Sequence, residues 1–489
     1  MFIRKIKSRN SICFQIGEKR EGRFKLVKHV GCTNNPLAVE LLRDRAKKEL
    51  ANLLFKNQIS LFPNKDSGLL KAKLVSWQIT GFYEVFGRVY DQIGFPDDLL
   101  KDFVIGRIVY PKSKLSTIEY LNRYLGKEIV KDQAYRFLDT LKKRELTNIA
   151  FYFVAKKQAR GISLIFYDVT TLSFETDRED EMRKKGYSKS HRNDLPQILL
   201  GLFVDYEGYP FDFDFFAGST YEGHTFSLSI ENIINKYKFN DLTVVADAGM
   251  LSHDNLEYLD SKNINYIVGG RIKNMEEELT QKIIANDFTL NPIFTTNMPS
   301  SRLIVEFKED RAKKDAAERE KTIEKLKLRL DEGKPVVRKS KYLSFKDKSL
   351  EAPGIDKDKI AKDKKFDGLK TYLTNLSNSL SSTEIINQYK NLWQVEKAFR
   401  MAKSDLKERP VFHWIKNRIE AHLLICFAAL LVIKETEKVL KLKNFSLKQA
   451  IEILGKVGRG YARIKNIQIE IDSELNEETE SLLKLFKGH

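Results

Sequence analysis

The chain has 489 residues, 42% of them apolar and 11% aromatic, enough material for several domains with sizeable cores. With 31% charged residues, 25 glycines and 11 prolines it is neither collagenous nor low-complexity, and wholesale disorder is excluded. Lys and Arg outnumber Asp and Glu by 85 to 67, a net charge of +18 that attracts polyanions, nucleic acid first among them.

The three cysteines, Cys13, Cys32 and Cys426, contain no Cys-x-x-Cys pair. Neither a disulfide framework nor a thiolate zinc site is expected, as suits a reducing cytoplasm. The opening MFIRKIKSRNSICFQI alternates and lacks the apolar core of a signal peptide. The longest apolar run, residues 423–433, is too short to span a bilayer and reads as a buried helix.

Residues 1–36 read as a basic β-hairpin segment, two strands (FIRKIKSRNSICFQI and GRFKLVKHV) around the charged turn EKREG. Residues 37–160 turn helical: AVELLRDRAKKELANLLF, DDLLKDFVIGRIVY, LSTIEYLNRYL and QAYRFLDTLKKREL place apolar residues at i, i+3, i+4 and i+7. Short helices with basic outer faces suit a DNA-binding region. At Gly161 the texture changes. GISLIFYDVT is a continuous apolar run ending in an acid, and QILLGLFVDYEGYPFDFDFF is a hairpin turning at Glu207–Gly208. The helix HTFSLSIENIINKYK, the strand LTVVADAG, a short helix and the strand NYIVGG complete an α/β core with a mixed sheet over 161–272. Residues 273–368 break that pattern and read as an inserted subdomain. The core resumes over 369–437 with LKTYLTN and two long helices, roughly 383–405 and 415–437, before a helical tail over 438–489.

Two acids stand out by context. Asp168 terminates SLIFYD and Asp247 terminates TVVAD. A carboxylate ending a buried strand is costly unless something positive compensates, and two in one sheet suggest ligands for a divalent cation, which takes hard oxygen donors. Taken singly, each is also what a strand-end cap looks like. A third acid, Glu396, lies in YKNLWQVEKAFRMAKSDLKERP, where Trp393, Glu396, Arg400 and Lys403 fall on one helical face. Arg400 is spaced either to pair Glu396 or to reach DNA. Zinc is not expected from His191, His253 and His413, which lack a ligand spacing, and His422 on its apolar helix reads as a core histidine.

That string resembles the Tyr-x2-Arg-x3-Glu-x6-Lys signature of bacterial insertion-sequence transposases with a DDE, ribonuclease-H-like catalytic domain. Tyr389, Glu396 and Lys403 stand at the signature's spacing, with Leu392 where the family has Arg. Asp168 in YDVTTLSFE is similar to the family's first acid and Asp247 in VADAGMLS to its second, and KERPVFHWIKNRIEAHLLICFAALL also resembles the family.

The resemblance, over roughly 161–437, implies a ribonuclease-H-like mixed sheet flanked by helices and interrupted by a largely β inserted subdomain, after a mainly helical N-terminal region. It implies Asp168, Asp247 and Glu396 as catalytic residues holding two Mg2+ ions, with Mn2+ able to substitute. Lys403 could grip an end phosphate, Tyr389 could bond the DNA backbone, brace its helix or pack in the core, and Arg400 is the further candidate DNA contact if it does not pair Glu396. The implied partners are double-stranded DNA, as element ends and target, and a second copy of the chain in a paired-end complex. The implied setting is the bacterial cytoplasm, at the nucleoid. The implied activity is metal-dependent strand cleavage and strand transfer.

In such enzymes the inserted subdomain can hold a flipped base on an aromatic face; here it has no Trp, leaving Tyr342 and Phe345 as candidates or core residues. Glu222 and His224 in GSTYEGHTF are placed to approach metals or DNA, and RKKGYSKSHRND (183–194) to track a DNA backbone. The alternatives are a catalytically inactive or domesticated DNA-binding relative, a DNA binder whose acids only cap strands, and a small-molecule metal hydrolase, which would have no use for so basic a surface.

Overall fold

A computed structural model describes the chain except residues 9–10, 21, 57–72, 160, 188–193, 240, 251, 335–340, 345–353, 410, 412, 465–466 and 488–489. His191 and Phe345 therefore lie outside the described residues. The chain divides into two compact units, Met1–Val75 with Tyr461–Glu470, and Ser76–Gly460 with Ile471–His489.

The first unit opens with three antiparallel strands rather than two: β1 (Phe2–Lys7), β2 (Ile12–Arg20) and β3 (Arg23–Thr33), followed by α1 (Pro36–Lys56). The stretch read as one strand breaks at a polar turn, where the Ser8 N–H donates to the Ser11 carbonyl at 2.9 Å. Cys13 and Cys32 face each other across β2 and β3 and are joined by a disulfide, which the sequence spacing gave no reason to expect. Strand β4 (Lys73–Ile79) interrupts the region read as wholly helical.

In the second unit α2 (Arg88–Ile93), α3 (Asp98–Val109), α4 (Lys114–Tyr124), α5 (Lys131–Thr140) and α6 (Lys143–Lys156) precede the sheet. The sheet starts with β5 (Leu164–Ser173), β6 (Gln197–Asp205) and β7 (Pro210–Ala217). After α7 (Glu222–Lys236) come β8 (Thr243–Ala246), α8 (His253–Ser261) and β9 (Asn265–Gly269). These five strands lie in the order β7-β6-β5-β8-β9. The β5-β6-β7 meander is antiparallel, and β8 and β9 continue parallel to β5. This is a ribonuclease-H-like sheet. Every residue of β6 is buried, as expected of a strand covered on both faces.

The segment after β9 is less separate than its texture suggests. It holds α9 (Glu277–Ile284), β10 (Ile293–Asn297), β11 (Arg302–Phe307), α10 (Glu309–Asp331), the two-residue strands β12 (Leu343–Ser344) and β13 (Gly354–Ile355), and α11 (Lys357–Lys364). With β14 (Leu369–Thr374), strands β10 and β11 extend the central sheet beyond β9, giving eight strands. The expected largely β subdomain is thus two sheet strands plus a mainly helical excursion. Its long charged helix, α10, buries only Arg319 and Leu326, which explains why no core pattern was visible.

The two long helices expected next are three. α12 (Ser382–Lys390) and α13 (Trp393–Ser404) are separated by a tightened turn in which Leu392 and Gln394 donate to Tyr389 and Asn391 three residues back. α14 (Lys416–Leu440) is apolar nearly all round and buried, packed against α3, α5, α6 and α13. α15 (Leu447–Leu454), β15 (Gly458–Ile464), β16 (Ile467–Asp472) and α16 (Glu477–Leu485) close the chain. Among the described residues, no helix is long and apolar enough to cross a membrane.

Candidate active site

Asp168 is not at a strand end. β5 runs on to Ser173 because β6 pairs it along its whole length, but on its other side β8 stops at Ala246, opposite Tyr167. Asp168 and Asp247 are therefore the next register pair, on neighbouring parallel strands about 4.8 Å apart at the point where the ladder opens. Alternation fixes the face. The Tyr167 hydroxyl meets Thr225 and Ser229 of α7, so Asp168 and Thr170 point to the opposite face, where α13 lies across β5.

Each aspartate accepts the N–H of the following residue, Val169 to Asp168 Oδ1 and Ala248 to Asp247 Oδ1, both at 2.7 Å. Asp247 and Glu396 line one cleft of about 870 Å3. Glu396 is exposed on α13 and makes no hydrogen bond or ion pair among the described residues. The i, i+4 alternative for Arg400 is not realised: it too is exposed, with no ion pair to Glu396.

Tyr389 sits at the centre of this arrangement. It is buried on α12, which packs beside β8 and β9, and its hydroxyl donates to Asp247 Oδ1 at 3.5 Å. Burial, then the charges of Asp247, Glu396 and Asp168, hold that hydroxyl protonated well above its usual range. All three acids thus act on a single phenol. Gly269 makes the approach possible, since a Cβ there would come within 2.6 Å of the Tyr389 hydroxyl and 3.1 Å of the Ala248 nitrogen. Tyr389 is not on the Glu396 helix, as the continuous-helix reading supposed. The break at Leu392, itself buried, lets α12 face Asp247 while α13 crosses β5.

Lys403 turns inward. Its amine donates to Thr170 on β5, two residues along the strand from Asp168 and on the same face. Glu222 and His224 stand at the start of α7 and do not line the cleft. Tyr342 does line it, but is buried with its hydroxyl on Asp363 at 2.5 Å, a packing role. His422 is buried with its ring Nε2 2.9 Å from the Glu408 carbonyl, a satisfied core histidine.

Sequence reasoning missed the cleft's cations. Lys273, Arg311, Arg319, Lys341, Lys370 and Lys390 line it, several from the segment after β9. The Lys370 ammonium lies 4.6 Å from the centre of the Tyr389 ring. It also missed the aromatic face: Trp393, 50% exposed, lines the cleft from the first turn of α13. Its one signal was the +3 step to Glu396.

Residues 159–432, more than half the chain, match the family described as the transposase DDE domain. The chain belongs to that family. Among solved structures it is similar to the piggyBac transposase synaptic complex with hairpin DNA, at 10% identity and a TM-score of 0.38, over 83% of this chain and 74% of that one. It is also similar to the Mos1 transposase paired-end complex with left transposon end, at 10% identity and a TM-score of 0.16, over 46% of this chain and 66% of that one. No curated protein matches it. Membership places the chain with the DNA transposition enzymes, whose nuclease and transferase chemistry generally uses divalent metals.

The donor set of this DDE domain suits such metals, since carboxylate oxygens are what hard cations take. As the side chains stand, no three His, Cys, Asp or Glu among the described residues converge closely enough to hold an ion together. Asp168 lies on β5, Asp247 directly follows β8, and Glu396 is an exposed glutamate on the helix that crosses β5.

Proposed function

We propose that this transposase binds the ends of an insertion sequence and catalyses metal-dependent strand cleavage and strand transfer, with Asp168, Asp247 and Glu396 as its catalytic carboxylates. One observation carries the reading: the two aspartates are register neighbours where β8 ends, and Asp247 shares a cleft with Tyr389, whose hydroxyl donates to it, and with Glu396. The carboxylates would hold divalent cations, Mg2+ or Mn2+, two per site. When bound, these supply activation of water or a 3′-hydroxyl and stabilisation of the leaving oxygen in an in-line displacement.

The chain's own residues do the rest. Tyr389 orients Asp247 by its hydroxyl, and its ring carries Lys370, a cation for the strand backbone. Arg400, exposed and unpaired with Glu396, is the DNA contact on α13. Lys403, beside Asp168 through Thr170, exchanges that hydroxyl for an end phosphate. Trp393 offers an aromatic face for a base, and the helices of 37–160 contribute further backbone contacts. Two copies act together on paired ends, in the bacterial cytoplasm at the nucleoid.

The test is a labelled duplex taken from the DNA flanking the gene, incubated with Mg2+, with Mn2+, or with EDTA. Metal-dependent cuts at a defined end support the reading. Tight binding without a cut in either metal moves the chain to an inactive or domesticated DNA-binding relative.

A further inference from the structure

A second cavity of about 900 Å3 lies among α3, α4, α5, the loop after α13 and the start of α14. Its lining holds seven lysines and arginines and a single carboxylate, Asp132, which is exposed. A basic rim alone would be an ordinary solvated surface, but two of the cations are not on the rim. Arg107 and Lys114 are each only 4% exposed.

Neither forms an ion pair among the described residues, although Arg107 acts at longer range on the buried Glu408. Arg107 donates to the Leu406 carbonyl at 3.4 Å, and its buried Nε has no partner. Lys114 makes no hydrogen bond or ion pair among the described residues, and its ammonium lies 5.8 Å from the centre of the Phe103 ring. A buried cation without a counter-charge is costly, and two close together repel. Lys114 is also the first residue of α4, at the positive end of the helix dipole, where a cation is least welcome. Burial first, and then Arg107, push its pKa well below the usual lysine range.

Three helices begin at this cavity. Residues 113–116 open α4, Lys131 and Asp132 open α5, and Ile415 is the N-cap of α14. Helix starts leave N–H groups unpartnered and favour anions. The lining also holds half-buried Tyr135, the imidazoles of His413 and His422, and Trp414, which is 69% exposed. Arg418 in the lining is already paired with Asp139 at 3.0 Å, so an anion is what the two buried cations call for, and a flat aromatic ligand is what Trp414 would cover.

We propose that this cavity is a second DNA-contact site, binding a backbone phosphate against Lys114 and Arg107 with the adjoining base stacked on Trp414. The identification of the anion as DNA rests on the transposase reading. Geometry supports it: α13 carries Glu396 near one end, and the loop leaving its other end lines the cavity. The helix is 12 residues, about 18 Å, or about five nucleotides of strand. A strand of that length would match the helix that joins the residues of the cleft to those of the cavity.

The experiment uses the full chain with Trp77→Phe and Trp393→Phe, which leaves Trp414 as the one tryptophan. Its emission is followed on titration with a 5′-phosphorylated thymidine dinucleotide, with inorganic phosphate and with polyglutamate. The dinucleotide should quench saturably, and Lys114→Met should weaken it by about ten- to a hundredfold, the worth of a charge-assisted hydrogen bond. Should Lys114→Met fail to fold, Lys112→Ser with Arg409→Ser at the rim should weaken it several-fold. Phosphate should compete without quenching.

No saturable quench, or equal affinity in the variants, overturns the site. Stronger quenching by polyglutamate than by the dinucleotide also overturns it, in favour of an acidic protein segment. The parent chain's metal-dependent nicking, measured alongside, separates the two claims. Nicking without a quench sinks only this cavity, whereas a chain that neither binds nor cuts duplex sinks the transposase reading and the cavity's DNA with it.

Discussion

The cleft and the basic cavity are both lined by cations but differ in which charge each leaves unpaired. At the cleft, Asp247 accepts from the Tyr389 phenol, and Glu396 makes no ion pair among the described residues. At the cavity, two buried cations on α3 and α4 form no ion pair among the described residues. Each deficit is a cost in the protein alone and becomes binding free energy once the missing charge arrives. The comparison teaches that unbalanced charge, rather than charge itself, marks where a ligand belongs. Many exposed lysines of this basic chain are simply solvated, and others are paired at short range, as Lys282 is with Glu278 and Lys313 with Glu309; neither kind carries the cost of burial.

The largest expected effect is at the cleft. Asp247→Ala and Asp168→Asn should bring strand cleavage down to the level without enzyme while leaving duplex affinity within a few-fold, as read by gel shift and nicking on the same DNA. A parallel loss of affinity would show that the acids support folding rather than chemistry.

Next comes the residue that joins the three acids. Tyr389→Phe keeps the ring and its cation but removes the hydroxyl from Asp247, and by analogy with second-shell groups should slow cleavage by about ten- to a hundredfold. Gly269→Ala should do the same by displacing that hydroxyl, with duplex affinity retained. Wild-type rates in both would detach Tyr389 from the site.

A pH-dependent effect belongs to the cavity side. Glu408, buried under the loop that lines the cavity, has an unpartnered Oε2, and burial raises its pKa from 4.5 to about 7. The folded state therefore keeps a proton that the unfolded state releases. The stability this gives is full below pH 4.5 and is lost as pH rises through about 7. His413 works in the other direction: burial, then Lys114, lowers it to about 4, so its contribution is lost as pH falls below 6.5. Glu408→Gln removes only the first slope. Between pH 4.5 and 7 the parent should lose roughly 3 kcal/mol relative to that variant in urea unfolding, and parallel curves would contradict the assignment.

The smallest effect sharpens the comparison most. Lys114→Met replaces an unpaired buried cation by an apolar chain of similar length and should raise stability by about 1–3 kcal/mol while weakening DNA binding. A variant that is destabilised instead would mean that Lys114 has a structural partner and the cavity no deficit.

Much of this was legible in the sequence because it is local. The strands around Asp168 and Asp247 declare themselves as apolar runs ending in an acid, and Glu396 and Lys403 are seven residues apart on one helix. What was not legible depends on partners. Asp168 reads as a strand end, but β6 carries its strand five residues further while β8 does not. β10 and β11 read as part of a separate subdomain, because nothing in RLIVEF says which sheet it joins. The break at Leu392 has no Gly or Pro to announce it. Nothing in the sequence singles out Arg107 and Lys114, since the loop and helix that bury them lie some three hundred residues away in the chain. The disulfide is invisible for the same reason, as only the β2–β3 register brings Cys13 to Cys32.

The central claim is that three separate acids form one cation site. Manganese binding, followed by electron paramagnetic resonance with duplex present, addresses it without requiring turnover. The account predicts tight Mn2+ uptake by the parent, lost in each of Asp168→Asn, Asp247→Asn and Glu396→Gln while the duplex stays bound. Uptake that survives all three substitutions would contradict it.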